Sequence, residues 1–302
     1  MKRGSLVAFL MAAAAAVAAC STAPPSPTRG ARVQAVAAEN FWGSIASQLG
    51  GTRASVTSII TNPNTDPHDY EPTVADARAI STAGFVLYNG IGYDTWMDRI
   101  LAASPNPDRL VINVGDLVRV PPGGNPHQWY SPGSVHEVIA RTTEDYKKLD
   151  PAHAAYFDER RRHFETVSLA EYDSLIARIR GRYAGTPIGA SESIVTPLAE
   201  ALGLDLLTPA SFLNAISEGT GPTAADKATA DAQIRSKRIK VFIYNRQNST
   251  PDVTALVSEA KAAGIPVVTI TETLEPADAT FQDWQTAQLR AIEQALKQAT
   301  GR

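Results

Sequence analysis

A chain of 302 residues, 44% apolar and 20% charged, has the composition of a soluble globular protein and enough length for two ordinary domains. Its formal net charge of −3 is small and argues against nucleic acid or an anionic membrane surface as a partner. The one cysteine, Cys20, excludes an internal disulfide, so stability has to come from a hydrophobic core, which a chain this long can supply.

The first twenty residues read as an export segment. Lys2 and Arg3 form a basic start, and residues 6–19 are an apolar run of small side chains too short for a comfortable membrane span. Val17-Ala-Ala-Cys20 resembles the lipobox of bacterial lipoproteins, in which the cysteine is acylated and becomes the mature N-terminus. A plain secretory signal with an incidental cysteine is the alternative. Residues 1–20 are thus expected to be a lipoprotein signal peptide and 21–32 a Pro/Ser-rich tether, with the folded part held at the outer face of the cell membrane by a lipid that anchors without spanning.

From Val33 onward, short apolar runs alternate with helical patterns. Residues 33–38, 54–60, 85–88 and 110–113 read as strands. Between them, helices begin near Phe41, at Thr73 with Asp76 as a capping box, and at Asp94 with Trp96 and Met97 inward. Residues 132–183 lack any convincing strand. Val135, Val138, Ile139, Tyr146 and Leu149 recur at helical spacing, as do Phe157, Phe164, Val167, Leu169, Tyr172, Leu175, Ile176 and Ile179. The spacing predicts one long amphipathic helix over 151–182, a strut of roughly 45 Å. Strands at 187–190, 204–207, 240–244 and 265–270 then alternate with helices to the end. The expected architecture is two parallel-sheet α/β lobes, residues 33–150 and 183–302, joined by the long helix 151–182. No sequence repeat relates the two halves.

The most informative stretch is Asn62-Pro-Asn-Thr-Asp-Pro-His68-Asp-Tyr-Glu-Pro-Thr73, which joins a strand to a helix. Such loops line the ligand crevice of α/β sheets. With only five histidines in the chain, His68 and His127 (within Gly123-Gly-Asn-Pro-His127-Gln-Trp-Tyr-Ser131) both follow β-type segments, as do Glu192 and Glu272. Two neutral imidazoles and two carboxylates carry a charge of about −2, which balances a divalent cation and makes burial tolerable. Nitrogen and oxygen donors suit Zn²⁺, Mn²⁺ or Fe²⁺ better than Cu⁺. Spacing alone also allows each His to be a cap or surface residue and each Glu to be solvated. His136, His153 and His163 lie in charged helical surroundings and read as solvated. The four tryptophans read as core or pocket wall, and Asn89-Gly90-Ile91-Gly92 lacks the features of a phosphate cradle.

Several of these blocks resemble the zinc/manganese solute-binding lipoproteins of bacterial ABC importers, over residues 33–300. The carriers are Asn62-Pro63, Asp66-Pro67-His68, Tyr70-Glu71-Pro72-Thr73, Asn89-Gly90-x-Gly92 with Trp96, Asn125-Pro126-His127-x-Trp129, Glu192 with Leu198-Ala-Glu-Ala-Leu-Gly-Leu204, and Thr271-Glu272-Thr-Leu. The resemblance implies a metal site in the interlobe cleft formed by His68, His127, Glu192 and Glu272, with Asp278 competing for the fourth place. It also implies two lobes that move little against each other, an ABC permease as partner, and Mn²⁺ or Zn²⁺ as the transported ligand, with Fe²⁺ admitted by its donor chemistry. The chain lacks the His/Asp-rich loop frequent in zinc-specialised members, and has Glu where many members have a third His, which tilts the metal toward Mn²⁺ or a mixture.

The leading expectation is therefore an extracytoplasmic, lipid-anchored monomeric receptor with no enzymatic activity. A secreted metallohydrolase on the same His and Glu residues is the first alternative. It lacks a His-Glu-x-x-His motif, and four protein ligands would close the coordination position that catalysis needs. A surface adhesin is the second, unsupported by any repeat or stalk.

Overall fold

The computed structural model describes residues 32–302 apart from 66, 68 and 69; Cys20, the signal segment, most of the tether and His68 lie outside the described residues. Strands β1 (Val33–Glu39), β2 (Ala54–Ile60), β3 (Phe85–Tyr88) and β4 (Leu110–Asn113) form a parallel sheet in the order β2-β1-β3-β4. The two central strands are buried almost throughout, because helices cover both faces, and this is why they read as apolar runs without alternation. The helices of this half are α1 (Asn40–Gly50), α2 (Val74–Thr82), α3 (Thr95–Ala103) and α4 (Val114–Val118). The capping box expected at Thr73 is present: the Thr73 hydroxyl accepts from the Asp76 N–H, and the Asp76 carboxylate accepts from the Thr73 N–H.

Two helices follow, α5 (Pro132–Leu149) and, after a 3-10 turn at Pro151–His153, α6 (Ala154–His163). The expected single strut is not one uninterrupted α-helix. A π-turn at Phe164–Ser168 separates α6 from α7 (Ala170–Tyr183), with the Leu169 N–H donating to the Phe164 carbonyl at 2.9 Å. The reason is geometric. Phe164 and Leu169 are both fully buried yet lie five residues apart, which in a regular helix turns the second about 140° away from the first. The wider turn brings both to the core and puts the residue between them outside, so Val167, expected inward, is 59% exposed. The Thr166 hydroxyl donates back to the Arg162 carbonyl at 2.7 Å, a contact that loosens the helical ladder at the same place.

The second half contains α8 (Val195–Leu202), α9 (Ala210–Ser217), α10 (Ala224–Arg235), α11 (Pro251–Ala262) and α12 (Phe281–Thr300). They surround strands β5 (Pro187–Ala190), β6 (Asp205–Leu206), β7 (Val241–Asn245) and β8 (Val267–Ile270). The sheet order is β6-β5-β7-β8, parallel throughout. Relabelled from its own first strand, this is the order of the first sheet, so the lobes repeat one topology although their sequences show no repeat. One continuous apolar core extends through both lobes. At their junction Phe41 stacks on Trp129 with ring centroids 4.2 Å apart, and Tyr130 packs on Trp284 at 5.7 Å. Among the described residues no helix is long and apolar enough to cross a membrane.

Candidate metal centre

In each sheet the strand order reverses between its first strand and its third in chain order, and ligands of open α/β sheets gather beyond the carboxyl ends of the strands at that point. The segments that follow β2 and β3 in one lobe, and β5, β7 and β8 in the other, bound a cleft of about 1300 Å³. Its walls carry Pro63 and Asn125 from the first lobe and Ser193, Gln247, Asn248 and Glu272 from the second.

His127 is set by its own loop. Its backbone N–H donates to the Asn125 side-chain oxygen at 3.0 Å, and its Nδ1 lies 2.9 Å from the same oxygen. A backbone N–H can only donate, so that Asn125 atom is the carbonyl oxygen, and Nδ1 must carry the ring proton. Nε2 is then the basic nitrogen, the one suited to a metal, and it points to Glu272, with Oε1 3.8 Å away. The other end of the Asn125 amide donates to the Ser193 carbonyl of the second lobe at 2.7 Å.

Glu192 follows β5 and is fully buried. Its Oε1 accepts from Asn245 Nδ2 at 2.6 Å and its Oε2 from Asn248 Nδ2 at 2.6 Å. Asn245 Nδ2 also reaches Glu272 Oε1 at 3.3 Å, so one amide stands between the two carboxylates. Glu272 Oε2 accepts from the Tyr93 hydroxyl at 3.4 Å. The structure thus pairs His127 with Glu272 and links Glu272 to Glu192 through Asn245. Asp278 is exposed on the turn beyond a cis Glu275–Pro276 bond and lies outside the cleft wall. His68 lies outside the described residues, and among the described ones no group of three or more His, Cys, Asp or Glu side chains is placed to hold a metal ion.

The loop behind His127 is built on a buried acid pair. The Asp94 carboxylate accepts from the Asn89 and Gly90 N–H groups, each at 2.7 Å, and the Asn89 amide donates to the Pro126 carbonyl at 2.8 Å. Gly90, Ile91 and Gly92 all have positive φ; at Gly90 a Cβ would stand 2.1 Å from Asn113 Oδ1, so only glycine fits. Ile91 at φ 60° is a strained conformation for a β-branched residue, and it lines the cleft. Glu39 and Asp94 are both fully buried. Burial, reinforced by the Asp94 charge, pushes the Glu39 carboxyl well above the usual range, and burial pushes Asp94 up to about 6. Asp94 has two backbone donors that favour its ionised form, whereas neither Glu39 carboxyl oxygen has a hydrogen-bond donor, so of the two acids Glu39 is the one that burial keeps protonated.

Sequence reasoning missed the amide cluster Asn245, Gln247 and Asn248 and the Glu39–Asp94 pair. The available signal is a run of three amides and an arginine after an apolar strand; Asn reads as a turn former by default. Of the histidines expected to be solvated, His163 is exposed. His136 and His153 instead face Asp173 and Asp150 at 3.4 and 2.8 Å, and the Asp173 contact raises the His136 pKa.

Residues 35–295 match the family described as the periplasmic component A of a zinc-uptake complex. The chain belongs to this family. The description names an uptake component. Among curated proteins, it is 28% identical over 127 residues to a manganese-binding lipoprotein of Halalkalibacterium halodurans, covering 40% of this chain and 41% of the relative. It is 22% identical over 273 residues to a zinc-binding lipoprotein of Streptococcus pneumoniae, covering 84% and 53%. The matched part is thus about half the length of such relatives, or less. Among solved structures, a manganese-bound periplasmic metal-binding protein from Candidatus Liberibacter asiaticus superposes with a TM-score of 0.72 at 22% identity, covering 87% of this chain and 98% of that one. A periplasmic zinc-binding protein from Treponema pallidum gives 0.71 at 18%, covering 88% and 99%. These establish the fold.

Proposed function

We propose that the protein is an extracytoplasmic receptor that captures one divalent transition metal ion, Mn²⁺ or Zn²⁺ with Fe²⁺ also admitted, and delivers it to an ABC-type permease. The observation that carries this reading is His127 Nε2 facing Glu272 in the cleft, with Glu272 linked to the buried Glu192 through the Asn245 amide. His68 is the fourth donor, placed by its position on the loop that follows β2. The Asn245 amide contact with both carboxylates supports the reading, because a positive ion in the same place would hold the same two groups more strongly. Cys20 is the lipidation site that tethers the chain to the membrane, and residues 33–150 and 183–302 act as lobes around the 151–182 strut. The family description and the names of the relatives, which include manganese-, zinc- and iron-binding proteins, support the same class of cargo.

The test is titration calorimetry of metal-stripped protein with Mn²⁺ and Zn²⁺. The expected result is 1:1 binding, with stabilisation of about 2.7 kcal/mol when free metal stands a hundredfold above the dissociation constant. Absence of heat and of any shift in melting temperature with both ions would end the receptor reading.

A further inference from the structure

We propose that Gln247 is a cross-cleft latch, a positioning residue that ties the loop bearing His68 to the loop bearing Glu272 and so sets how fast the ion leaves. The inference rests on the receptor reading for its consequence, but on separate geometry for its existence.

The Gln247 carboxamide uses its full hydrogen-bonding capacity. Its Oε1 accepts from the Glu272 N–H at 2.6 Å and the Thr273 N–H at 3.1 Å. Its Nε2 donates to Thr273 Oγ1 at 2.9 Å and to the Pro63 carbonyl at 2.5 Å. A primary amide offers two acceptor and two donor positions, and all four are taken. The orientation is unambiguous, since backbone N–H groups can only donate and the Pro63 carbonyl can only accept. Three of the bonds lie within the second lobe and fix the Glu272 backbone. The fourth crosses the cleft.

That fourth bond matters because, among the described residues, it is the hydrogen bond that joins this first-lobe segment to the second lobe. Among the described residues, the other hydrogen bonds of segment 61–65 are internal: the Thr65 N–H to the Asn62 carbonyl and the Asn64 N–H to Asn62 Oδ1. Pro63, Asn64 and Thr65 line one wall of the cleft, and Gln247 lines the other. His68 is five residues along the chain from Pro63. Opening the latch frees segment 61–65, which precedes the proposed donor His68 in the chain, while leaving both sheets and the shared aromatic core untouched. It also explains why a glutamine, and not a carboxylate, follows β7 here: a glutamate would accept from the two N–H groups equally well but would repel the Pro63 carbonyl.

Two measurements on Gln247→Ala test this. In stopped-flow release of Mn²⁺ into excess chelator, the variant should release about three- to tenfold faster than wild type, the range set by one or two lost hydrogen bonds, with an association rate within about twofold. In the metal-free protein, hydrogen exchange should rise at the amides of 61–65 while the melting temperature stays near wild type. A wild-type release rate removes Gln247 from control of the ion. Exchange that is unchanged at 61–65, or that rises only at 271–274, reduces it to a support of the Glu272 loop and overturns the latch. Wild-type protein that takes up neither metal sinks the receptor reading instead, and the exchange comparison on the metal-free chain still decides whether the latch exists.

Discussion

Glu272 and Asp278 are six residues apart and chemically equivalent, yet their surroundings differ. Glu272 lies 3.8 Å from the basic nitrogen of His127 and shares a donor with Glu192, whereas Asp278 is exposed on a turn. On the proposed reading, His127→Ala, Glu192→Ala and Glu272→Ala should each weaken metal binding by at least roughly tenfold, as loss of a direct ligand does. Asp278→Ala should leave it within about twofold. Calorimetry on the four variants separates the assignments, and an Asp278→Ala variant as damaged as Glu272→Ala would reverse the fourth-ligand choice. The proposed donors were accessible to sequence reasoning because His is scarce in this chain and because a polar residue just past an apolar strand has few structural uses. Their supports were not. Asn245, Gln247 and Asn248 act through hydrogen bonds to groups 25 to 184 residues away along the chain, and nothing local distinguishes such an amide from one that caps a turn.

The strut shows how far periodicity carries at the scale of an element. Its helical nature and approximate ends follow from the repeat of apolar side chains, and the 3-10 turn at Pro151–His153 and the helices on either side of the π-turn agree with it. The interruption is also written in the sequence, as a five-residue gap between Phe164 and Leu169, but Val167 in that gap mimics an in-phase core position and hides it. The shared strand order of the two lobes was illegible for a different reason: topology is set by which strands pair, and pairing leaves no periodic trace within a strand. The π-turn makes a prediction. Deleting Val167 would shorten the gap to four residues, return Phe164 and Leu169 to one face of a regular helix, and remove an exposed apolar side chain. Urea unfolding should place this deletion within about 1 kcal/mol of wild type. A loss of several kcal/mol would mean that the wide turn is required to set α6 and α7 against their separate lobes.

For the molecule as a whole, the buried pair behind the His127 loop links protonation to stability. Glu39 and Asp94 both have folded pKa values above those of an unfolded chain, about 4, so between that value and their folded values the native state binds more protons than the unfolded one. Stability from this source is complete below pH 4 and declines as pH rises, through about 6 for Asp94, with Glu39 shifted in the same direction. His136, raised by Asp173, acts in the same direction. Asp76, Asp150 and Glu293 are lowered, the first two by hydrogen-bonded partners that outweigh burial and the third chiefly by Arg178; their contributions appear as pH rises through the acid range and are complete before this window opens. The metal-free protein should therefore lose unfolding free energy between pH 5 and pH 8. Glu39→Gln keeps the shape but carries no proton to lose, so its stability should vary less over that interval, leaving the Asp94 and His136 contributions. Urea unfolding of the two proteins at several pH values checks this, and parallel curves would show that burial does not keep Glu39 protonated. Metal affinity should move the opposite way, falling below about pH 6.5 because ligating imidazoles must be neutral. The empty fold is thus at its most robust in the acid range where the ion is held least, which allows the receptor to give up its cargo without risk to the structure that must bind the next one.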